Sequence, residues 1–242
     1  MNFTSTHRNI ADQIVSAFEN SSLHIKYDYC ENLDDGRGFT AGRAGFCTGT
    51  GDLYEVVKLY TKDNPDNALS EYLPTLKKLA EEESDDVSEL DGFKTDWREA
   101  CQDTDFLACQ DAIVNQEYFK PAMQYCNENN LQYPLSAACL YDTCIQHGDG
   151  DDEDSLGSLI KKTNAQLGGS PKNGVNETTW LHTFLDIRKQ DLMNPANKET
   201  RDEWRESAGR VDALKQILES GNIHLDGAVS FTVFGDNYTA VT

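Results

Sequence analysis

Apolar residues recur every three or four positions along most of this chain, a period that predicts helices. Ile10, Ile14, Val15 and Phe18 form one stripe over residues 7–19, with Thr4, Ser5 or Thr6 placed to cap it. Leu53, Val56, Val57 and Tyr60 form a second stripe. A third contains Leu69, Tyr72, Leu73, Leu76 and Leu79, and carries Pro74 near its start, where a missing N–H is tolerated. Helical spacing also covers about 94–128, as one stretch or broken, then 134–146, 177–193 and 199–219. The last of these puts Val211, Leu214, Ile217 and Leu218 on one face.

The pattern changes over residues 23–51, which are rich in Gly, Tyr and Asp. This region predicts turns and a small sheet, with "HIKYDY" as a strand-like piece. "EEESDDVSELD" at 81–91 predicts a solvated acidic loop, and the tail "IHLDGAVSFTVFGDNY" alternates like a β-element. No internal repeat or low-complexity linker divides the chain. The class is mainly α (α+β), with a small β-sheet in the N-terminal third.

At 242 residues the chain is long enough for one large domain or for two lobes. Its formal charge of −21 repels nucleic acid and anionic membrane surfaces and attracts polycations; solubility alone is the plainer reading. No apolar run is long enough for a membrane span, and "MNFTSTHRNIADQ" lacks the apolar core of a signal peptide. A cytosolic protein, or a mature secreted form with an added Met1, fits that start. Cys30, Cys47, Cys101, Cys109, Cys126, Cys139 and Cys144 include no CxxC. Their clustering over 101–144 predicts a few disulfides in a secreted protein, or else buried thiols in a cytosolic one. Sequons at Asn2, Asn20, Asn176 and Asn237 fit a secretory origin.

Two carboxylates stand out. Glu19 ends the first helical stripe against Phe18 and Val15, and apolar surface disfavours the charged form of a carboxyl, which suits a general acid. Asp35 precedes Gly36-Arg37-Gly38 in a stretch that also holds Thr40, Gly42, Gly45, Gly49, Gly51 and Asp52. An Asx turn explains an Asp before Gly, but not that crowding. Glycines let backbone and ligand approach closely; Thr40 can hold a water near a base, and Asp52 can receive a cationic group. A carboxylate pair flanking a cleft is the minimum equipment for glycoside hydrolysis. "HGDGDDEDS" at 147–155 lacks the spacing of a calcium loop and predicts an acidic surface loop. His147 is expected to be structural or to line a substrate site. No HExxH, P-loop, GxSxG or GxGxxG is present.

The stretch "SAFENSSLHIKYDY…DDGRGFTAGRAGFCTGTGD" resembles the signature region of the glycoside hydrolase family 46 chitosanases. "YLPTLKKL", "DFLACQDAIVNQEYFKPAM", "LYDTCIQHGDG", "NETTWLHTFLDIRK" and "GRVDALKQILESGNIHLD" extend the resemblance, in matching order, to the C-terminus. It implies a lysozyme-like fold: residues 1–242 as one catalytic domain of two mostly helical lobes, joined by a long helix and flanking a substrate cleft. It implies Glu19 as general acid, Asp35 as general base and Thr40 as the residue that positions the attacking water. It implies an ionic network of Asp142, Arg188 and Arg210 behind the acid. Asp52 would grasp a glucosamine amine, and Glu31, Arg37 and His147 would line the cleft. Asp34 stands where the family pattern has Gly, and seven cysteines exceed its usual number.

The activity so implied is endo-hydrolysis of β-1,4 links between glucosamine units of chitosan, with inversion. No cofactor or metal is expected, nor nucleic-acid or membrane partners. A secreted monomer acting on chitosan and its oligosaccharides is expected. The alternatives are a lysozyme- or chitinase-like hydrolase of N-acetylated glycans, and a non-catalytic chitosan-binding protein of the same fold.

Overall fold

The computed structural model describes residues 2–196 and 201–242; Met1 and the first two positions of the helix expected from residue 199 lie outside the described residues. The chain opens with α1 (Ser5–Asn20) and three short strands, β1 (Cys30–Asn32), β2 (Phe39–Ala41) and β3 (Phe46–Cys47). Four helices follow: α2 (Asp52–Asp63), α3 (Leu73–Glu82), α4 (Phe93–Ala100) and α5 (Thr104–Val114). A π-helical segment, Asn115–Phe119, leads into α6 (Lys120–Glu128). Then come α7 (Pro134–His147), α8 (Leu156–Leu167), α9 (Glu177–Met193), α10 (Arg201–Ser207) and α11 (Gly209–Glu219). Strands β4 (Val229–Val233) and β5 (Asp236–Ala240) end the chain. The architecture is mainly helical with two small antiparallel sheets, as the hydrophobic period predicts. The chain forms two compact units, one of Met1–His24 with Tyr118–Thr242 and the other of Ile25–Glu117.

In the first unit, α1 starts where Thr4 accepts from the backbone N–H of His7 and the His7 ring accepts in return from Thr4. Ile10, Ile14, Val15 and Phe18 are buried, so the predicted stripe is the packed face. Helix α7 is buried on nearly every side, including Leu135, Leu140, Tyr141 and Cys144. A helix apolar all round belongs in a core, and here it carries Asp142. Helices α9 and α11 also bury charged residues, Arg188 and Arg210, among apolar ones. Strands β4 and β5 form a hairpin in which Val229, Phe231 and Val233 alternate inward. Phe234 and Gly235 turn the hairpin with φ of 51° and 92°, the two positive values that a tight hairpin loop requires.

In the second unit, β1, β2 and β3 pair antiparallel, with Glu31 opposite Thr40 and Thr40 opposite Cys47. The core behind the sheet is aromatic. Phe93 meets Tyr72 edge-on at 5.2 Å, and Trp97 meets Phe106 edge-on at 4.8 Å. Such pairs contribute about 0.5–1.5 kcal/mol beyond their burial.

Several expectations need correction. "HIKYDY" forms no strand, because the Tyr27 carbonyl is taken by side chains rather than by a ladder partner. It accepts from Trp97 Nε1 at 2.9 Å, Gln110 Nε2 at 3.2 Å and Cys101 Sγ at 3.2 Å. The helix expected over 199–219 breaks at Ala208, beside the point where Gly209 packs on the Phe234 ring. Helix α8 follows the acidic loop unannounced, started by Ser155, whose hydroxyl accepts from Ser158 N–H. The expected disulfides are absent from the described residues. The sulfurs are packed as apolar groups or bonded to carbonyls, and burial pushes the Cys30 and Cys101 thiols up to about 12.

Gly42 shows how tightly the second unit is closed. Its φ is +71°, and a Cβ there would collide with Gln110 Oε1 and press on Phe46 and Trp97. Gly42→Ala is therefore expected to lose about 2 kcal/mol or more of stability, read by thermal unfolding. A loss within about 0.5 kcal/mol would contradict this packing.

Candidate active site

In the first unit, buried arginines surround Asp142 and reach Glu19. Glu19 lies in the last turn of α1, two residues before Ser21, whose left-handed φ of 50° ends the helix. Arg210, from the start of α11, donates through Nη2 to Glu19 Oε1 at 2.7 Å and to Asp142 Oδ1 at 2.7 Å. Arg188, from α9, donates through Nη1 to the other oxygen of Asp142 at 2.6 Å. Asp142 and Arg188 side chains have no exposed surface, whereas Glu19 keeps 34% of its side chain accessible. The ladder therefore runs from a closed interior to one accessible carboxylate. The Arg210 guanidinium also stacks over Phe18 at 5.3 Å, so the apolar neighbour of Glu19 steadies its cation.

Burial alone would raise the Asp142 pKa, but Arg210 and Arg188 outweigh it and hold the carboxyl below its ordinary value. Arg188 makes two further contacts, donating Nη2 to Gln146 Oε1 at 2.6 Å and Nε to His147 Nε2 at 3.3 Å. His147 is not on a surface: its side chain is fully buried, with Trp204 edge-on at 4.7 Å. Burial, and next the Arg188 charge, push its pKa well below 6.5, so the ring is neutral. Because Nε2 accepts from Arg188, Nδ1 carries the proton and donates to the Asp154 carbonyl at 2.9 Å. The sequence missed Gln146, although its i,i+4 spacing from Asp142 puts both on one face of α7.

The second unit holds its carboxylates differently. Asp34 and Gly36 flank Asp35 with φ of 54° and 80°, turning the chain so that Arg37 folds back on Asp35. Position 34 is left-handed, which Gly prefers and Asp tolerates. Arg37 donates Nη2 to Asp35 Oδ2 at 2.6 Å, and its backbone N–H donates to Oδ1 at 3.1 Å. Burial pulls the Asp35 pKa up, but these bonds and the Arg37 charge outweigh it and lower the value. Thr40 is buried on β2, its hydroxyl 3.4 Å from Cys47 Sγ.

Asp52 opens α2, where a carboxylate suits the helix N-terminus. Its Oδ1 accepts from Cys47 N–H at 2.7 Å, Thr50 Oγ1 at 2.7 Å and Leu53 N–H at 3.0 Å. Oδ2 makes no hydrogen bond among the described residues, and burial raises the pKa despite the three bonds. Glu31 is paired with Lys94 and, at 2.8 Å, with Arg98, and the Lys94 bond first of all lowers its pKa. The structure thus brings Glu19, Asp142, Arg188, Arg210 and His147 into one network. It joins Asp35 to Arg37 and ties Asp52 to the strand that carries Cys47.

Glycoside hydrolysis needs a pair of carboxyl groups, and the structure presents Glu19 and Asp35 each held by an arginine. Residues 13–229 match the model of glycosyl hydrolase family 46, and the chain belongs to that family. A chitosanase of Bacillus subtilis (strain 168) is 53% identical over 219 residues, 90% of this chain and 79% of that protein. A chitosanase of Streptomyces sp. (strain N174) is 37% identical over 234 residues, 96% of this chain and 81% of that one. Among solved structures, the E19A mutant chitosanase of Bacillus subtilis MY002 complexed with 6 GlcN has a TM-score of 0.93 at 49% identity. That match covers 99% of this chain and 100% of the other. The GH46 chitosanase of Gynuella sunshinyii with chitotetraose also reaches 0.93, at 46% identity and full coverage of both chains.

Asp142→Asn leaves two buried guanidinium groups short of a counter-charge and is expected to cost about 3–5 kcal/mol in urea unfolding. Wild-type stability is expected to fall as pH drops below about 6.5, because unfolded His147 takes up a proton that the folded ring refuses. At lower pH, stability from the depressed Asp142 pKa is lost as the folded carboxyl finally protonates. His147→Gln should flatten the first of these two losses. A wild-type stability that stays level between pH 7 and 5, or an Asp142→Asn loss under about 1 kcal/mol, would contradict the network.

Proposed function

We propose that this chain is an endo-acting chitosanase, cleaving β-1,4 bonds between glucosamine units with inversion. The observation that carries the proposal is the Arg188–Asp142–Arg210 ladder ending on Glu19, in a chain that shares its family with proteins named chitosanases. Glu19 is the general acid. Arg210 holds Oε1, while Oε2 makes no hydrogen bond among the described residues and carries the proton to the leaving glycosidic oxygen. Asp35 is the general base. Arg37 keeps it ionised, so it accepts a proton from the water that attacks the anomeric carbon. Thr40 holds that water.

Inversion requires room for water between acid and base, with carboxyls roughly 6.5–9.5 Å apart. Asp52 offers its unbonded Oδ2 to a glucosamine ammonium, with Oδ1 fixed by three donors. Glu31 and Arg37 lend charge near the sugar from within their own ion pairs, and His147 serves from inside the ladder. The net charge of −21 draws in a polymer of protonated amines, an attraction that salt weakens. Such a polymer is met outside the cell, which supports reading the enzyme as secreted; it acts as a monomer.

Glu19→Gln and Asp35→Asn are each expected to lower kcat on glucosamine oligomers by about 10²–10⁴-fold, with oligomer binding kept in calorimetry. Asp34→Asn is expected to stay within about threefold of wild type. New reducing ends should form from deacetylated polymer and not from fully acetylated polymer. Wild-type turnover by Glu19→Gln would remove it as the acid. Inactive Asp34→Asn beside active Asp35→Asn would move the base. Faster cleavage of the acetylated polymer would favour a chitinase-like enzyme.

A further inference from the structure

Thr40 can hold the attacking water in two ways, and the difference matters for the reaction. If its hydroxyl donates to the water, it occupies a lone pair of the nucleophile. If the hydroxyl accepts, both lone pairs of the water stay available. The second unit contains the group that decides between them.

Cys47 is the cross-strand partner of Thr40. Its Sγ lies 3.4 Å from Thr40 Oγ1 and 3.2 Å from the carbonyl of Gly45, to which it donates. A thiol has one proton. With that proton directed at Gly45, the sulfur can only accept from Thr40. The single hydroxyl proton of Thr40 is then committed to sulfur, and its oxygen faces the water as an acceptor. Asp35, ionised beside Arg37, is an acceptor as well. A water held by both must donate one O–H to each. Both of its protons are thereby occupied, and a lone pair is left for the anomeric carbon.

The seat of Cys47 is fixed at each end. Its backbone N–H donates to Asp52 Oδ1 at 2.7 Å, and β3 is paired to β2. Thr40 is 7% exposed and β-branched, so few rotamers are open to its side chain. Burial raises the Cys47 pKa; the Asp52 and Asp35 charges add to this, while the Thr40 bond and Arg37 oppose it. The sulfur therefore keeps the proton it gives to Gly45.

From this geometry we infer that Cys47 is a positioning residue: its thiol sets the Thr40 hydroxyl as an acceptor and thereby orients the water that Asp35 deprotonates. The inference rests on the reading of Thr40 as the residue that holds the nucleophilic water. Serine keeps one donor and an acceptor at this place, whereas valine and alanine keep neither.

The test is steady-state kinetics on glucosamine hexamer with Cys47→Val, Cys47→Ala, Cys47→Ser, Thr40→Val and the Thr40→Val/Cys47→Val pair, each verified as folded by near-UV circular dichroism. Cys47→Val is expected to lower kcat about threefold to tenfold with KM within about twofold, as loss of one neutral hydrogen bond implies. Cys47→Ser should recover most of the rate, and Cys47→Val should add nothing on the Thr40→Val background. Cys47→Ala gives the same readout should valine disturb the sheet. Wild-type kcat in Cys47→Val and Cys47→Ala beside a slow Thr40→Val would overturn the inference alone, as would losses that multiply in the double variant. Wild-type kcat in Thr40→Val would overturn the premise itself.

Discussion

Arg210 is held between two carboxylates, and the setting of Glu19 follows from that. Its guanidinium is buried between Asp142 and Glu19, 2.7 Å from each. Two arginines, Arg188 and Arg210, share Asp142, and Arg210 also reaches Glu19. Removing ions from water is costly, and geometry this close is what offsets the cost. His147 is neutral there, because a buried imidazolium would lose its hydration and stand against the Arg188 charge. The ladder's worth is orientation: three helices, α7, α9 and α11, converge to hold one oxygen of one accessible glutamate.

The second unit holds its carboxylate by a contrasting route. Asp35 sits on a turn with 21% of its side chain accessible, bonded to Arg37 only two residues away. Local chain geometry does here what long-range packing does for Glu19. Left-handed backbone at Asp34, Gly36 and Gly38 folds the turn, and behind it Thr48 accepts from Phe39 N–H and donates to the Arg37 carbonyl. Asp52, Cys47 and Thr40 then link helix α2 to the sheet through hydrogen bonds.

The helical stripes of α1, α2, α7, α9 and α11 were legible because their apolar positions face the interior at the helical period. The hairpin of β4 and β5 was legible from alternation. "HIKYDY" misled because side chains, not a neighbouring strand, satisfy the Tyr27 carbonyl. Helix α8 was hidden by the acid-rich run before it. In the site, Glu19 and Asp35 stood out by type and setting, and resemblance supplied Asp142, Arg188 and Arg210. What no pattern displayed was depth. His147 was expected to be structural or to line a substrate site, and its full burial was not legible; Gln146 was overlooked; Glu31 was read without Lys94 and Arg98, which come from a helix some sixty residues further on. Sequence spacing gives helix faces but not which face meets which.

The proposed reaction uses two differently held carboxylates, Glu19 as acid and Asp35 as base, with water as the nucleophile. Time-resolved proton NMR of glucosamine hexamer during digestion tests this most directly, since the anomeric signals separate before mutarotation blurs them. The account predicts that the α-anomer appears first at new reducing ends, because one displacement by water inverts the β-link. First appearance of the β-anomer would mean a covalent intermediate, and would contradict it.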